Sequence, residues 1–318
     1  MTPHAVTVTL NPAIDQTVRL DRLQPGHVHR ARSARDDAGG KGINVAACLA
    51  DWGVATAATG VLGADNDGSF RLLFEQRGIA DHCLRAPGQT RTNIKLVEDG
   101  GDETTDINLP GLQLDADQLD AVSAQLAPLL APGVPVALSG SLPAGLPETA
   151  WARLQAQAAA AGARVLLDTS GPALAAALNT QAGALPYAVK PNRHELEAWT
   201  GSALPERADL LAAAHALVNR GIALVVVSMG ADGALFVDAH GALVARPPRL
   251  ARGSTVGAGD AMVAGLAASL LVPRFELAAC ARLATAFSMS RLESGDQRQL
   301  DPAQVRRWAD DVLIEPLA

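Results

Sequence analysis

Residues 253–265 read GSTVGAGDAMVAG, so glycines precede Asp260 and an apolar, helix-forming stretch follows it. The first backbone N–H groups of a helix have no partner within the helix, and the helix dipole favours negative charge there. Glycines let a ligand approach these groups closely. The pattern predicts that Gly257, Ala258 and Gly259 bind an anion and that Asp260 takes a proton from a hydroxyl that attacks it. The alternative is an N-cap aspartate on an ordinary buried helix.

A second glycine pair precedes a predicted helix in AGGKGINVA, residues 38–46. Gly39 and Gly40 bring the backbone close to the helix start, and Lys41 and Asn44 lie one turn apart on that helix. These two side chains have the chemistry to bind a phosphate and a hydroxyl. The segment is not a Walker loop, because the upstream glycine and the trailing Ser or Thr are missing. A plain loop-to-helix turn is the alternative.

The segment KPNRHE, residues 190–195, puts Asn192 and Glu195 three positions apart, on one face of a predicted helix. An amide and a carboxylate at this spacing can hold the hydrated Mg²⁺ that accompanies nucleotide phosphates. The alternative is a capping box, in which each side chain binds the other residue's backbone N–H. Two loops, SGSLPAG at 139–145 and SMGADG at 228–233, follow apolar strands, where open α/β sheets bind ligands. The SMGADG loop is explained equally well as a hairpin turn.

The composition of the 318 residues restricts the classes of partner. A formal net charge of -7 and an aromatic content of 3% argue against nucleic acid and anionic membrane surfaces, since these need a cationic field and bases need stacking rings. Cys48, Cys83 and Cys280 are widely spaced, which indicates neither a disulfide framework nor a zinc cluster. A secretory signal pattern and windows of about 18 apolar residues are both missing, so we expect a cytoplasmic protein.

The hydrophobic pattern alternates short strands with helices along most of the chain, which predicts an α/β fold with a parallel sheet covered on both faces. Two regions differ. Residues 15–35 and 89–108 contain TVRL, HVHRARS, RTNIKLVE and ETTDINL, in which polar and apolar residues alternate with period two. We expect these strands to form a small sheet that covers a cleft. A pair of surface hairpins is the alternative.

The motifs occur in a characteristic order: NPAID at 11–15, GGKGINVA, TRTNIK at 90–95, SGSLPAG, KPNRHE, SMGADG and STVGAGD. In this order, over essentially the whole chain, the sequence resembles the phosphofructokinase B branch of the ribokinase-like sugar kinases. The resemblance implies one three-layer α/β/α domain over residues 1–318 with a mostly parallel central sheet. It also implies a small β-sheet lid, inserted at about residues 12–36 and 88–109, that often serves as the dimer contact, so a homodimer is expected.

The resemblance assigns roles to individual residues. It implies that Asp15 binds sugar hydroxyls in a pocket shared with Gly39, Gly40 and Asn44. Cationic partners of a phosphate already on the substrate would be Lys41 and Arg91, with Lys95 and Asn108 nearby on the lid. It assigns ATP and Mg²⁺ to Lys190, Asn192, Glu195, Ser228, Gly230, Gly233, Ser254 and Thr255, with Mg²⁺ held by Asn192 and Glu195 through water. Gly257, Ala258 and Gly259 would bind the transferred phosphoryl group, and Asp260 would be the base.

The implied activity is ATP-dependent phosphorylation of fructose 1-phosphate at its 6-hydroxyl. Fructose 6-phosphate and tagatose 6-phosphate are alternative substrates within the family. A nucleoside or a free sugar fits less well, because Lys41, Arg91 and Lys95 suggest a substrate that already carries phosphate. A catalytically silent sugar-phosphate sensor on the same fold is a further alternative, against which an intact Asp260 argues. Many relatives have Asp-Thr ahead of GAGD where this chain has Thr255 and Val256, which argues against activation by potassium.

Overall fold

The computed structural model describes residues 4–98, 104–248, 257–294 and 299–317. Its strands are β1 (Ala5–Thr9), β2 (Ala13–Leu20), β3 (Ser33–Gly39), β4 (Thr56–Gly63), β5 (Ala80–Ala86), β6 (Arg91–Glu98), β7 (Thr104–Asn108), β8 (Pro135–Ser139), β9 (Arg164–Asp168), β10 (Ala188–Val189), β11 (Leu224–Ser228), β12 (Ala234–Asp238), β13 (Ala242–Arg246) and β14 (Leu313–Leu317). Its α-helices are α1 (Lys41–Asp51), α2 (Gly68–Arg77), α3 (Ala116–Leu126), α4 (Ala150–Ala160), α5 (Gly171–Leu178), α6 (Arg193–Thr200), α7 (Arg207–Asn219), α8 (Ala258–Ser269), α9 (Leu277–Ser294) and α10 (Pro302–Asp311).

The main sheet has ten strands in the order β14-β13-β12-β11-β10-β9-β8-β1-β4-β5. Pairing is parallel from β11 through to β5 and antiparallel from β11 out to β14. Helices α3 to α7 pack on one face, and α1, α2, α8, α9 and α10 pack on the other. The predicted three-layer α/β/α architecture is therefore confirmed, with an antiparallel edge in addition.

The central strands are apolar on both sides because both faces are covered. In β11, Val225 and Val227 pack into one layer, whereas Leu224 and Val226 pack into the other. A strand that alternated polar and apolar residues would leave buried polar groups without partners in one of the layers. The run of consecutive branched residues is the reason that this segment occupies the interior of the sheet.

A second sheet of four strands, in the order β3-β2-β6-β7, stands apart from the main sheet. We call it the small sheet. Strands β2 and β6 run parallel, and the outer pairs are antiparallel. The stretch HVHRARS differs from the prediction, since only Ser33 belongs to a strand. The pairing with β2 begins at Arg19 opposite Ser33, so residues 21–32 have no strand opposite them and form a connection instead.

Helices α8 and α9 pack so closely that Gly265 is required at their contact. A Cβ atom on residue 265 would lie 2.6 Å from the Cα of Ala284, a backbone atom that cannot rotate away. We expect Gly265→Ala to lower the free energy of unfolding by about 1–3 kcal/mol, the usual cost of overpacking. Denaturant unfolding followed by circular dichroism measures this change. Gly68→Ala is the matched control, because a Cβ there meets nothing within 4 Å. Equal stability of the two variants would contradict the packing described for residue 265.

Among the described residues, the structure contains no helix that is both long and apolar enough to cross a membrane.

Candidate functional site

A cavity of about 250 Å³ lies between the small sheet and the main body. We call it the main cavity. Its walls come from the small sheet, from the start of α1, from the start of α8 and from the end of α9. The lining residues are Asp15, Thr17, Asp37, Ala38, Asn44, Asn93, Lys95, Asp106, Asn108, Gly257 and Arg291. The structure thus brings together Asp15, Asn44, Lys95, Asn108 and Gly257 from the predicted set.

The N-terminus of α8 opens at this cavity. The N-cap residue Gly257 has a φ of 78°, a left-handed conformation that side chains other than glycine rarely adopt. Asp260 lies in the first turn of α8 and is buried. The side-chain amide of Asn44 donates a hydrogen bond of 2.8 Å to Oδ2 of Asp260. This bond joins the two glycine-rich segments, whose residues lie 216 positions apart in the sequence.

Asp260 titrates far above an ordinary aspartate. Burial raises its pKa to about 6, and the negative charge of Asp168 contributes to the increase. The hydrogen bond from Asn44 and the charges of Lys41 and Lys190 act in the opposite direction. A carboxylate with this pKa is ionised at neutral pH and is a stronger proton acceptor than an exposed aspartate.

Two lysines approach this region from different elements. Lys41 begins α1 and Lys190 follows β10. Their Nζ atoms lie 3.4 Å and 3.3 Å from the carboxylate of Asp168, which is almost completely buried. A Cβ atom built on Gly259 would be 3.4 Å from Nζ of Lys190, so this ammonium group lies against the first turn of α8. Free N–H groups at a helix start and two ammonium groups form a favourable environment for a phosphate group.

Lys41 stays charged in this environment. Burial on its own would lower the pKa of Lys41, but the carboxylates of Asp168, Asp260 and Glu195 outweigh burial and raise it. Lys41 is therefore a permanent cation near Asp260 at any physiological pH.

The small sheet supplies the polar wall of the cavity. Oδ1 of Asp15 accepts a hydrogen bond of 3.0 Å from the side chain of Asn93 on the neighbouring strand. Gly39 lies against this carboxylate, because a Cβ atom there would be 2.2 Å from Oδ2 of Asp15. Gly40 has a φ of 112° and turns the chain from β3 into α1. These two glycines thus make room for the Asp15 carboxylate and start the helix that carries Lys41 and Asn44.

Arg91 does not line the main cavity. Its Nε donates a hydrogen bond of 3.3 Å to the carbonyl of Pro12, and it borders a small recess with Asn11 and Leu112. Partial burial lowers the pKa of Arg91, although an arginine stays protonated. Asn11 also donates a hydrogen bond of 3.1 Å to the hydroxyl of Ser141, in the predicted SGSLPAG loop. The recess therefore joins two of the motif segments at the edge of the small sheet.

Asn192 and Glu195 form a capping box at the start of α6. The backbone N–H of each residue donates a hydrogen bond of 2.9 Å to the side chain of the other. This is the structural alternative considered for KPNRHE. It leaves the second carboxylate oxygen of Glu195 outside the box, and the charge of Glu195 acts on Lys41 across the cleft. The described residues hold no group of three or more His, Cys, Asp or Glu able to bind a metal ion directly. The donor set fits a hydrated Mg²⁺, not a bare ion.

The SMGADG loop turns the chain from β11 into the antiparallel strand β12 and is a hairpin connection. Its first residue, Ser228, donates its backbone N–H to the carbonyl of Pro191, which brings the loop beside KPNRHE. Gly230 and Gly233 have φ values of 62° and 89°. Ser254 and Thr255, together with Val256, lie outside the described residues.

Four charged residues at or near the site were not predicted from the sequence. Two of them, Asp37 and Asp106, belong to the small sheet and line the main cavity. Asp168 ends β9, and its place at the carboxyl end of a parallel strand was a usable signal. Arg291 lies in the last turn of α9 and is buried beside Gly257 and Asn44 in the cavity wall. No local pattern distinguishes it from the exposed arginines of other helices.

The comparison with protein families decides the class. Residues 8–302 match the model of the pfkB family carbohydrate kinases. The chain belongs to this family. A pfkB carbohydrate kinase is a transferase that moves a phosphoryl group to a hydroxyl of its substrate, and the arrangement around Asp260 agrees with that chemistry.

Individual relatives in the pfkB family cover the full chain. A 1-phosphofructokinase of Xanthomonas campestris pv. campestris is 69% identical over 99% of this chain and 99% of its own. A 1-phosphofructokinase of Rhodobacter capsulatus is 47% identical over 100% of this chain and 99% of its own. The crystal structure of phosphofructokinase-2 from Escherichia coli in complex with potassium superposes with a TM-score of 0.90 at 28% identity, covering 97% of this chain and 98% of that one.

Proposed function

We propose that the protein transfers the γ-phosphoryl group of ATP to the 6-hydroxyl of fructose 1-phosphate, giving fructose 1,6-bisphosphate and ADP. The observation that carries the transfer chemistry is the buried Asp260 carboxylate at the start of α8, within the electrostatic influence of the Lys41 and Lys190 ammonium groups. The choice of fructose 1-phosphate rests on the names of the relatives at 69% and 47% identity. Fructose 6-phosphate and tagatose 6-phosphate are the alternatives to be tested.

In the proposed reaction, the sugar phosphate occupies the main cavity under the small sheet. Asp15 and Asn44, which line this cavity, bind the sugar hydroxyls. Gly39 lies against the Asp15 carboxylate and Gly40 turns the chain into α1, so both border the same pocket. The hydroxyl oxygen attacks the γ-phosphorus, its proton passes to Asp260, and the bond to the β-phosphate oxygen breaks as ADP leaves. The N–H groups at Gly257, Ala258 and Gly259, together with Lys190, offset the negative charge that develops on the transferred group.

The phosphate already present on the sugar needs a cationic partner. We assign the role of cationic partner to Lys41, Arg91 and Lys95, with Asn108 nearby. Lys95 and Asn108 line the main cavity, and Arg91 borders the adjoining recess at the edge of the small sheet. The cavity also contains Asp15, Asp37 and Asp106, so these cations are needed to make a dianionic substrate acceptable there.

The nucleotide side comprises Lys190, Asn192, Glu195, Ser228, Gly230 and Gly233, with Ser254 and Thr255 assigned from the motif alone. The contact between Ser228 and Pro191 supports a shared role of two of these segments, since it joins them into one surface. Asn192 and Glu195 would hold a hydrated Mg²⁺, which supplies charge neutralisation at the phosphates when bound.

In this proposal the small sheet, which is formed by the insertions at about residues 12–36 and 88–109, acts as a lid. Closure excludes water and limits wasteful hydrolysis of ATP. Strand β7 is exposed along its whole length, including Ile107, which supports use of this sheet as the contact of a homodimer. A cytoplasmic location stays a prediction from the sequence.

The pH dependence of kcat/KM tests the role of Asp260. We expect an acid limb near pH 6, because the base must be ionised and burial raises the pKa of Asp260 to about 6. In Asn44→Ala the limb should move to higher pH, since the hydrogen bond from Asn44 lowers this pKa. Phosphate groups of the substrates also titrate near pH 6, but they are the same in both measurements. An unchanged limb in Asn44→Ala would count against Asp260 as the titrating group.

A coupled assay of ADP release tests the substrate. It compares fructose 1-phosphate, fructose 6-phosphate, tagatose 6-phosphate and uncharged fructose at matched concentrations. The proposal expects the highest kcat/KM with fructose 1-phosphate and very little turnover of fructose. Equal rates with fructose would refute the phosphate contact of Lys41, Arg91 and Lys95. Failure of all four, with ATP still bound, would favour the sensor function instead.

A further inference from the structure

We propose that Asp168 is a positioning residue, which holds the ammonium groups of Lys41 and Lys190 near the start of α8 until the substrates bind. It then yields Lys190 to the phosphate oxygens of ATP and Lys41 to the phosphate of the sugar. This inference rests on the proposed kinase function. It adds a residue for which neither composition nor motif gave a role.

The lengths of the contacts support an exchange in which each ammonium group leaves Asp168 for a phosphate. A strong ammonium–carboxylate hydrogen bond measures about 2.7–2.9 Å. The contacts of Asp168 with Lys41 and Lys190 measure 3.4 Å and 3.3 Å. At this length the carboxylate still attracts each ammonium group, but the contact is weaker than a short hydrogen bond. Each ammonium group also has three N–H donors that an incoming phosphate can accept from.

The carboxylate itself is fixed. Asp168 ends β9, pairs with Ser139 of β8, and its backbone carbonyl accepts the N–H of Gly140 at 2.9 Å. Gly140 is held in turn by Thr169, whose hydroxyl donates to its carbonyl at 2.9 Å, and by the indole N–H of Trp151 at 3.0 Å. A buried charge held on such a well-bonded backbone determines where the two lysine ammonium groups lie.

The position of Asp168 joins the two halves of the site. Lys41 comes from the helix that carries Asn44, on the sugar side, and Lys190 comes from the segment that carries Asn192, on the nucleotide side. Without a shared anion, two cations this close to each other would repel and separate. Asp168 therefore lets Lys41 and Lys190 stay close together before any ligand binds.

The charges around Asp260 come from several elements, and all of them bear on the test. Asp168 on β9 is negative; Lys41 on α1 and Lys190 after β10 are positive. Glu195 on α6 acts on Lys41, and Arg291 on α9 acts on Asp260. Because the negative charge of Asp168 contributes to the raised pKa of Asp260, its removal lowers that pKa.

The test is Asp168→Asn in the full-length protein, measured with the sugar phosphate that the wild type prefers. Turnover should fall roughly tenfold, the value of one charge-assisted hydrogen bond, because the lysines lose their fixed positions. The KM for ATP should not rise, since the site becomes more positive. The acid limb of kcat/KM should move to lower pH. A purely structural role of Asp168 would instead raise the KM for ATP together with the loss of turnover, because a distorted site binds the nucleotide less well.

Asp67→Asn is the matched control. Asp67 is also a buried carboxylate between two cations, with Arg85 at 3.0 Å and Arg71 at 3.2 Å, and it does not line the main cavity. Loss of stability is expected for this control, with no change in the acid limb or in the KM for ATP. An equal shift of the limb in both variants would overturn the proposal.

Two further outcomes distinguish the positioning role of Asp168 from metal binding and from a failure of the proposed function. If turnover of Asp168→Asn recovers at high Mg²⁺ concentration, the residue binds the metal and the proposal is wrong. If the wild type phosphorylates no sugar, the proposed function fails, and calorimetric binding of the ATP analogue AMP-PNP still tests Asp168. Binding by Asp168→Asn should be at least as tight as by the wild type; weaker binding refutes the inference.

Discussion

Replacing Asp260 by asparagine is expected to lower kcat about 10²–10⁴-fold, the usual contribution of a general base. The amide keeps the size of the side chain and can still accept the hydrogen bond from Asn44, but it cannot take the proton of the attacking hydroxyl. Steady-state kinetics with the preferred sugar phosphate measures the change. The KM for ATP should stay nearly the same, because Asp260 does not itself bind the nucleotide in the proposed reaction.

The stability of the same variant provides the control. Burial raises the pKa of Asp260, so the ionised side chain is less favourable in the folded protein than in the unfolded chain at neutral pH. Asp260→Asn removes this penalty, and thermal unfolding should show a Tm equal to that of the wild type or higher. A large loss of kcat with unchanged Tm identifies a chemical role. Near-normal turnover would remove Asp260 as the base.

Gly39→Ala is expected to raise the KM for the sugar phosphate about 10–100-fold, which corresponds to the loss of hydrogen bonds to a charged group. The new Cβ atom would lie 2.2 Å from Oδ2 and 2.7 Å from Cγ of Asp15, so the carboxylate must rotate away. Because these two closest atoms belong to a side chain, and the nearest backbone atom, the carbonyl oxygen of Ala13, is 3.2 Å away, the fold should tolerate the change. The KM for ATP should be unaffected, since Asp15 lies on the small sheet.

The control for this substitution is again Gly68→Ala, at a glycine whose added Cβ meets nothing within 4 Å. Both variants receive the same methyl group, and only the one at residue 39 contacts Asp15. A normal KM in Gly39→Ala would show that Asp15 does not bind the sugar. A raised KM for both substrates would instead point to a general distortion of the site.

The main sheet follows from the sequence because its signals are local. Consecutive apolar residues such as those of β11 require burial on both faces. Gly201, the C-cap of α6, has the left-handed conformation that makes glycine common at the ends of helices. The start of α8 at Ala258 was predicted for the same reason, since a glycine-rich segment ahead of an apolar helix is visible in a window of about a dozen residues.

The small sheet was predicted less completely. Period-two alternation identified β2, β6 and β7 but also included His27–Arg32, which lie outside any strand. Alternation reports that one face of a segment is exposed, and it does not report whether a partner strand lies beside it. The parallel pairing of β2 with β6 joins residues about 78 positions apart, as in the bond from Asn93 to Asp15. No local pattern encodes such a register.

The electrostatics of the candidate site could not be predicted from sequence patterns for the same reason. Lys41 and Asp168 are separated by 127 residues, and the contact depends on the order of strands in the main sheet. A sequence pattern identified the residue types at Lys41, Lys190 and Asp260, but the buried carboxylate between the lysines becomes visible only when β9 is placed beside β10.

The close contact of Gly265 with Ala284 holds the helix that carries Asp260 in one position. From Asp260 to Leu270 every residue of this segment is buried, and close-packed interiors do not allow a helix to slide. In the proposed reaction, Asp260 therefore keeps its position, and the sugar hydroxyl has to be brought to it. Substitutions on the small sheet are therefore expected to alter the placement of the sugar without moving Asp260.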